Sequence, residues 1–122
     1  MISSSDVSLT KKRISFRELP PTLRAFIKAY PRVWSAHEKL GVETAKAGPL
    51  NEKETQLIKL AVTGSQMLET AFKTHVRKAV SVGATRNEIE HAILLLLPIV
   101  GMGRTMMGMK WYQEALNRKR VR

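Results

Sequence analysis

Two short segments of this chain carry the same helix-start signal, and together they restrict what it can fold into. Asn51 is followed three residues later by Glu54, and Thr85 by Glu88. In each pair the first side chain can accept a hydrogen bond from the backbone N–H of the fourth residue, while the glutamate reaches back to the first backbone N–H. Two orphaned donors are thereby satisfied at once. Apolar residues at helical spacing follow both boxes: Leu57, Ile58, Leu60, Ala61 and Val62 after the first, and Ile89, Ala92, Ile93, Leu96 and Leu97 after the second. Two helix origins are therefore written into the sequence, and what lies between and around them must fit that plan.

It does so with helical punctuation. Pro20 and Pro21 suit the first turn of a short helix to about Tyr30, and Pro31 opens the next, which Gly48 closes and Pro49 ends. The helix after Asn51 is predicted to run to about Thr63, with Gly64 as the break. Another is predicted from about Ser65 to Val82, ended by Gly83 as a left-handed cap. Pro98, Gly101 and Gly103 mark a kink or break before a last helix over roughly Arg104 to Arg118. No β-strand alternation is visible. Residues 1–14 are polar and Ser-rich and read as a flexible basic arm, and residues 15–122 as a single all-α bundle of about six helices.

The 122 residues include no cysteine, which excludes disulfides, thiolate nucleophiles, Cys-ligated zinc and iron–sulfur clusters. Cysteine-free composition and the lack of an apolar leader in residues 1–13 suit a cytoplasmic protein. The most apolar stretch, Ala92–Gly103, is too short for a bilayer span of about 20 residues and reads as a buried helix, so no membrane partner is expected. The formal charge of +11 invites a nucleic-acid hypothesis. Its distribution argues against one. Residues 1–30 hold six Lys/Arg against two Asp/Glu, residues 104–122 six against one, and the body between them nine against seven. The tail Arg118, Lys119, Arg120 and Arg122 reads as a solvated helix end that complements the helix dipole.

Within the predicted 65–82 helix, Leu68, Ala71, Phe72, His75, Ala79 and Val82 recur at spacings of three and four and share a face that is apolar apart from His75. A histidine there must be hydrogen-bonded. It is then either a satisfied structural residue or a proton donor and acceptor whose pKa burial has moved.

The run from Leu50 through Leu57, Leu60 and Ala61, then His75, Ala79, Gly83, Ala84 and Thr85, then Glu88, Ile89 and Gly101, resembles the core of the carboxymuconolactone decarboxylase family, which includes the AhpD-like disulfide reductases. The resemblance covers about residues 30–115. The family's redox branch uses a glutamate, a Cys-x-x-Cys pair and a histidine four residues after the second cysteine. The resemblance puts the histidine at His75, the cysteines at Ala71 and Leu68, and the glutamate at Gln56. Three of these four positions are therefore unreactive, and thiol peroxidase chemistry is excluded because the chain holds no thiol.

The decarboxylase branch, acting on a carboxylated muconolactone, also lacks the thiol pair and keeps the histidine. Resemblance to it implies a cofactor-free lyase on a small anionic substrate, with His75 as acid/base and Gln56 as a neutral hydrogen-bond partner. Arg104 can clamp a carboxylate, or can be a solvated charge at a helix start. The alternative is a non-catalytic binding or assembly member with a decayed site. The resemblance also implies a homo-oligomer, a trimer or hexamer. Met102, Met106 and Met109, with Met107 beside them, form a stripe for core or interface, Gly101, Gly103 and Gly108 would permit close helix approach, and Trp34 and Trp111 are large enough to anchor contacts. His37 reads as a surface residue. His91 lies beside Glu88 and Glu90, but no spacing among the histidines supports a metal site.

Overall fold

The computed structural model describes residues 6–7 and 14–117. Most of the expected 1–14 arm and the basic tail 118–122 lie outside them. The chain divides into two compact units, residues 1–50 and 51–122.

In the first unit β1 (Asp6–Val7) pairs antiparallel with β2 (Ile14–Ser15), in the register Asp6 to Ser15 and Val7 to Ile14. This two-residue ladder has no counterpart in the sequence reading, because two residues are too few to show alternation. A 3-10 turn (Phe16–Glu18) leads to α1 (Pro21–Ala29) and α2 (Pro31–Lys46). Each helix carries its proline in the first turn, where the missing N–H costs nothing. Leu19 and Ile27 are buried here, packed by Phe16, Leu23 and Trp34.

The second unit contains α3 (Glu52–Ser65), α4 (Glu69–Ser81), α5 (Arg86–Leu94), the single turn α6 (Leu97–Val100) and α7 (Met102–Leu116). Both capping boxes form. Glu54 N–H donates to Asn51 Oδ1 (2.8 Å) and Asn51 N–H to Glu54 Oε1 (3.0 Å). Glu88 N–H donates to Thr85 Oγ1 (3.1 Å) and Thr85 N–H to Glu88 Oε1 (2.9 Å). The second oxygen of Glu88 pairs with Lys53 Nζ at 2.9 Å, so one glutamate caps α5 and ties it to the first turn of α3. The core joins Leu60 of α3, Phe72, Val76 and Ala79 of α4, Ile89 and Ile93 of α5, and Trp111, Tyr112 and Ala115 of α7.

Several boundaries differ from expectation. Gly64 does not break α3: it lies inside the helix, and a Cβ there would stand 3.0 Å from Phe72 Cδ1. Its role is to let α4 approach. The chain reverses instead at Met67, a non-glycine residue at φ 60°, and α4 begins at Glu69, not near Ser65. The buried face of α4 is Phe72, Val76 and Ala79, with Leu68 left exposed at the N-cap. The Ala92–Gly103 stretch is not one buried helix. Ile93 and Leu96 are buried, but Leu94, Leu95, Ile99 and Met102 are exposed, and α5 stops at Leu94 before Pro98 starts α6. Of the three glycines expected to allow close approach, Gly108 does so, with Ile93 Cγ2 3.3 Å from a built Cβ, whereas Gly101 and Gly103 face open space. Trp111 is a core residue against Phe72 (ring centroids 6.1 Å apart), not an interface anchor. His37 is exposed beside Trp34, and His91 is exposed on α5.

The two kinds of helical glycine are expected to respond oppositely to alanine. Gly64→Ala gains helix propensity but collides with a fully buried ring, for a net loss of about 1–2 kcal/mol. Gly103→Ala meets nothing and should gain about 0.5 kcal/mol. Urea unfolding of both variants checks this, and equal effects would remove the close-approach role of Gly64.

Candidate functional site

The site grows from the α3–α4 hairpin. Only Gln66, Met67 and Leu68 separate the two helices, so α4 folds back along α3. Gln56 is the fifth residue of α3 and is buried, and His75 is the seventh of α4 and half-buried. Their side chains meet: His75 Nδ1 and Gln56 Oε1 are 2.8 Å apart. Because the amide oxygen can only accept, the ring proton sits on Nδ1, which donates to it. Nε2 then carries the lone pair.

Burial pushes the His75 pKa down to about 4, and the nearby ammonium groups of Lys78 and Lys59 push in the same direction. A charged imidazolium is disfavoured in this desolvated setting, and a neutral amide partner offers no compensating charge. The ring is therefore neutral at pH 7.

The other positions singled out from the sequence fall around this pair with different roles. Ala71 is one helical turn before His75 on α4 and is half-buried. Leu68 is the N-cap residue of α4 and 47% exposed. A thiol at that point would meet the positive end of the helix dipole, which favours a thiolate. A leucine offers only hydrocarbon. Arg104 lies in the first turn of α7, is exposed, and donates from Nη1 to the carbonyl of Ser65 at 2.9 Å. A cation at a helix start is unfavourable, but this one serves the negative C-terminal end of α3.

The sequence reading singled out neither Lys59 nor Lys78 as a site residue. Both are half-buried. Each follows a candidate residue by three, Lys59 after Gln56 and Lys78 after His75, and the charge of each bears on the ring. On the far side of α4 the charges are internally satisfied, with Lys73 Nζ bonded to Glu69 (2.8 Å) and Glu114 of α7 (2.9 Å). Among the described residues no group of three His, Asp or Glu side chains is placed to hold a metal ion, and no helix is long and apolar enough to cross a membrane.

Comparison with known proteins agrees with the helical architecture. A crystal structure of a carboxymuconolactone decarboxylase family protein from Legionella pneumophila, in its apo form, superposes with a TM-score of 0.68. It is 24% identical, and the match covers 80% of this chain and 86% of that one, which speaks to the fold. No curated protein matches the chain. The model of the carboxymuconolactone decarboxylase family matches residues 28–114, which span α2 to α7 and hold His75, Gln56 and both capping boxes. On that match, the chain belongs to the carboxymuconolactone decarboxylase family.

Proposed function

We infer that this protein is a cofactor-free lyase of the decarboxylase type, acting on a small anionic substrate with His75 as its proton-transfer group. The supporting observation is the tethered neutral imidazole. Its Nδ1–H is held by Gln56, so its Nε2 lone pair has a fixed direction on a half-buried face. Loss of CO2 from a carboxylate leaves a carbanion or enolate that must be protonated, and the Nε2 lone pair can take a proton from solvent as that negative charge develops and pass it to the carbon, returning the ring to its neutral form. Gln56 acts as a positioning residue through the ring. Arg104 retains guanidinium donors beyond the one given to Ser65, and these can meet a carboxylate. The absence of cysteine leaves no route for thiol peroxidase chemistry.

The same contact supports a second reading, a binding or assembly member in which His75 is a satisfied structural histidine. Exposed Leu94, Leu95, Ile99, Met102 and Met106, between the end of α5 and the start of α7, support a homo-oligomer, for which we favour a trimer or hexamer. A cytoplasmic setting belongs to the proposal.

Two measurements discriminate these readings. With a carboxylated muconolactone as substrate, His75→Ala is expected to lower kcat by about 10²–10⁴-fold while leaving the oligomer intact. An unchanged kcat would end the catalytic reading. The protonation state has its own check. Between pH 6.5 and about 4 the unfolded chain binds a proton that folded His75 refuses. Stability therefore falls as pH falls through that window, by about 2 kcal/mol after allowance for partial exposure, and this contribution levels off below it. His75→Gln should flatten that part of the profile. A wild-type stability curve that is flat from pH 6.5 to 4.5 would contradict a depressed His75.

A further inference from the structure

Sulfur chemistry in this chain falls to methionine, because it has six methionines and no cysteine. The structure sorts the described methionines into two groups. Met67, Met107 and Met109 are half-buried and packed against the core. Met102 and Met106 are 60% and 55% exposed. They stand one turn apart on α7, so their side chains share a face. The space beside Met102 is open: a Cβ built on Gly101 or Gly103 meets nothing within 4 Å. Further along the same helix, a Cβ on Gly108 would stand 3.3 Å from Ile93 Cγ2. The first turn of α7 is held in place, because Arg104 donates to the Ser65 carbonyl at 2.9 Å and Thr105 Oγ1 donates to the Gly101 carbonyl at 2.9 Å. Met102 and Met106 also continue the exposed apolar run of Leu94, Leu95 and Ile99.

We propose that Met102 and Met106 form a peroxide-sensitive modification site, at which oxidation of the two thioethers blocks self-association of the chain. In each step a lone pair on Sδ attacks one oxygen of hydrogen peroxide. The S–O bond forms as the O–O bond breaks, and the sulfur is oxidised by two electrons. The hydroxide released takes the proton left on the transferred oxygen, so a sulfoxide and water remain. A sulfoxide is polar, and two of them in a row of exposed apolar side chains oppose the dehydration that contact with a second copy requires. Oxidation therefore changes the surface and spares the core, where Met67, Met107 and Met109 are partly covered. The chain has no thiol with which to reverse the change. Recovery needs a separate sulfoxide reductase, which takes two electrons from a dithiol and removes the oxygen as water. The modification acts on the single chain in exchange with the assembly, because contact covers both sulfurs. The block rests on the homo-oligomer reading above, whereas the site of oxidation stands on exposure.

The test treats the full chain with dilute hydrogen peroxide, at the lowest concentration that light scattering can follow. Tandem mass spectrometry then locates each sulfoxide, and light scattering after reconcentration reads the assembly. Sulfoxide is expected at Met102 and Met106 before Met67, Met107 or Met109, with loss of the assembly to single chains. The Met102→Leu, Met106→Leu double variant keeps the apolar surface without the sulfur and should stay assembled at the same dose. The Met102→Gln, Met106→Gln double variant, verified as folded by circular dichroism, should be a single chain without peroxide. Oxidation of Met67, Met107 or Met109 at an equal rate overturns the site. An assembly that survives both sulfoxides overturns the block, as does a leucine variant that dissociates like the wild type. An untreated chain that is already single at high concentration removes the homo-oligomer reading and the block with it. If the untreated chain assembles but Met102 and Met106 resist peroxide, the contact is permanent and the proposal alone fails.

Discussion

The hydrogen bond from His75 Nδ1 to Gln56 Oε1, at 2.8 Å, depends on how closely α3 and α4 approach, and the candidate chemistry depends on that bond. Gly64 lets the ring of Phe72 come to a distance that a side chain would forbid. Met67 reverses the chain at a positive φ that costs free energy for a residue with a Cβ, and it persists because the packed helices on both sides impose it. Lys53 and Glu88 fix the other end of the assembly by joining the two capping boxes. The imidazole direction is thus set by backbone approach and by caps far from it in sequence, which is how a short polar contact can stay registered on a helix face.

Much of this fold was legible because its signals are local. A capping box concerns four adjacent residues, a proline fixes its own φ, and a period of 3.6 can be counted along one helix. Both boxes form as the residues require. The misread points are those where a local signal had a non-local cause. Gly64 looked like a helix stop because glycine is a poor helix former, but it answers to Phe72, eight residues on. Met67 carries no residue-type signal for a left-handed turn. The apolar run after Ile93 is partly exposed, and hydrophobicity alone does not distinguish a side chain buried in its own core from one left at the surface.

The site was legible in part for the same reason. His75 stood out as a polar residue on an apolar helical row, and Gln56 came from the family pattern. Their contact joins residues nineteen apart in sequence, which spacing along one helix cannot reveal. Leu68 illustrates the limit of the row argument: extending it back from His75 placed Leu68 on the packed face, whereas the helix has already ended there and the side chain stands 47% exposed. Lys59 and Lys78 escaped attention because lysines on amphipathic helices normally point to solvent. Their relevance appears only once the two helices are laid side by side.

Neither Leu68, Ala71 nor Gln56 offers His75 a negative charge, and the chain holds no thiol that could. Lys59 and Lys78 add positive charge to the surroundings of the ring. The depressed pKa, about 4, follows first from burial and then from these two cations. A group so depressed transfers few protons at neutral pH on its own. To act as an acid it needs negative charge beside the ring. Under the proposed lyase reading, the carbanion or enolate left by loss of CO2 is the negative charge that meets this condition.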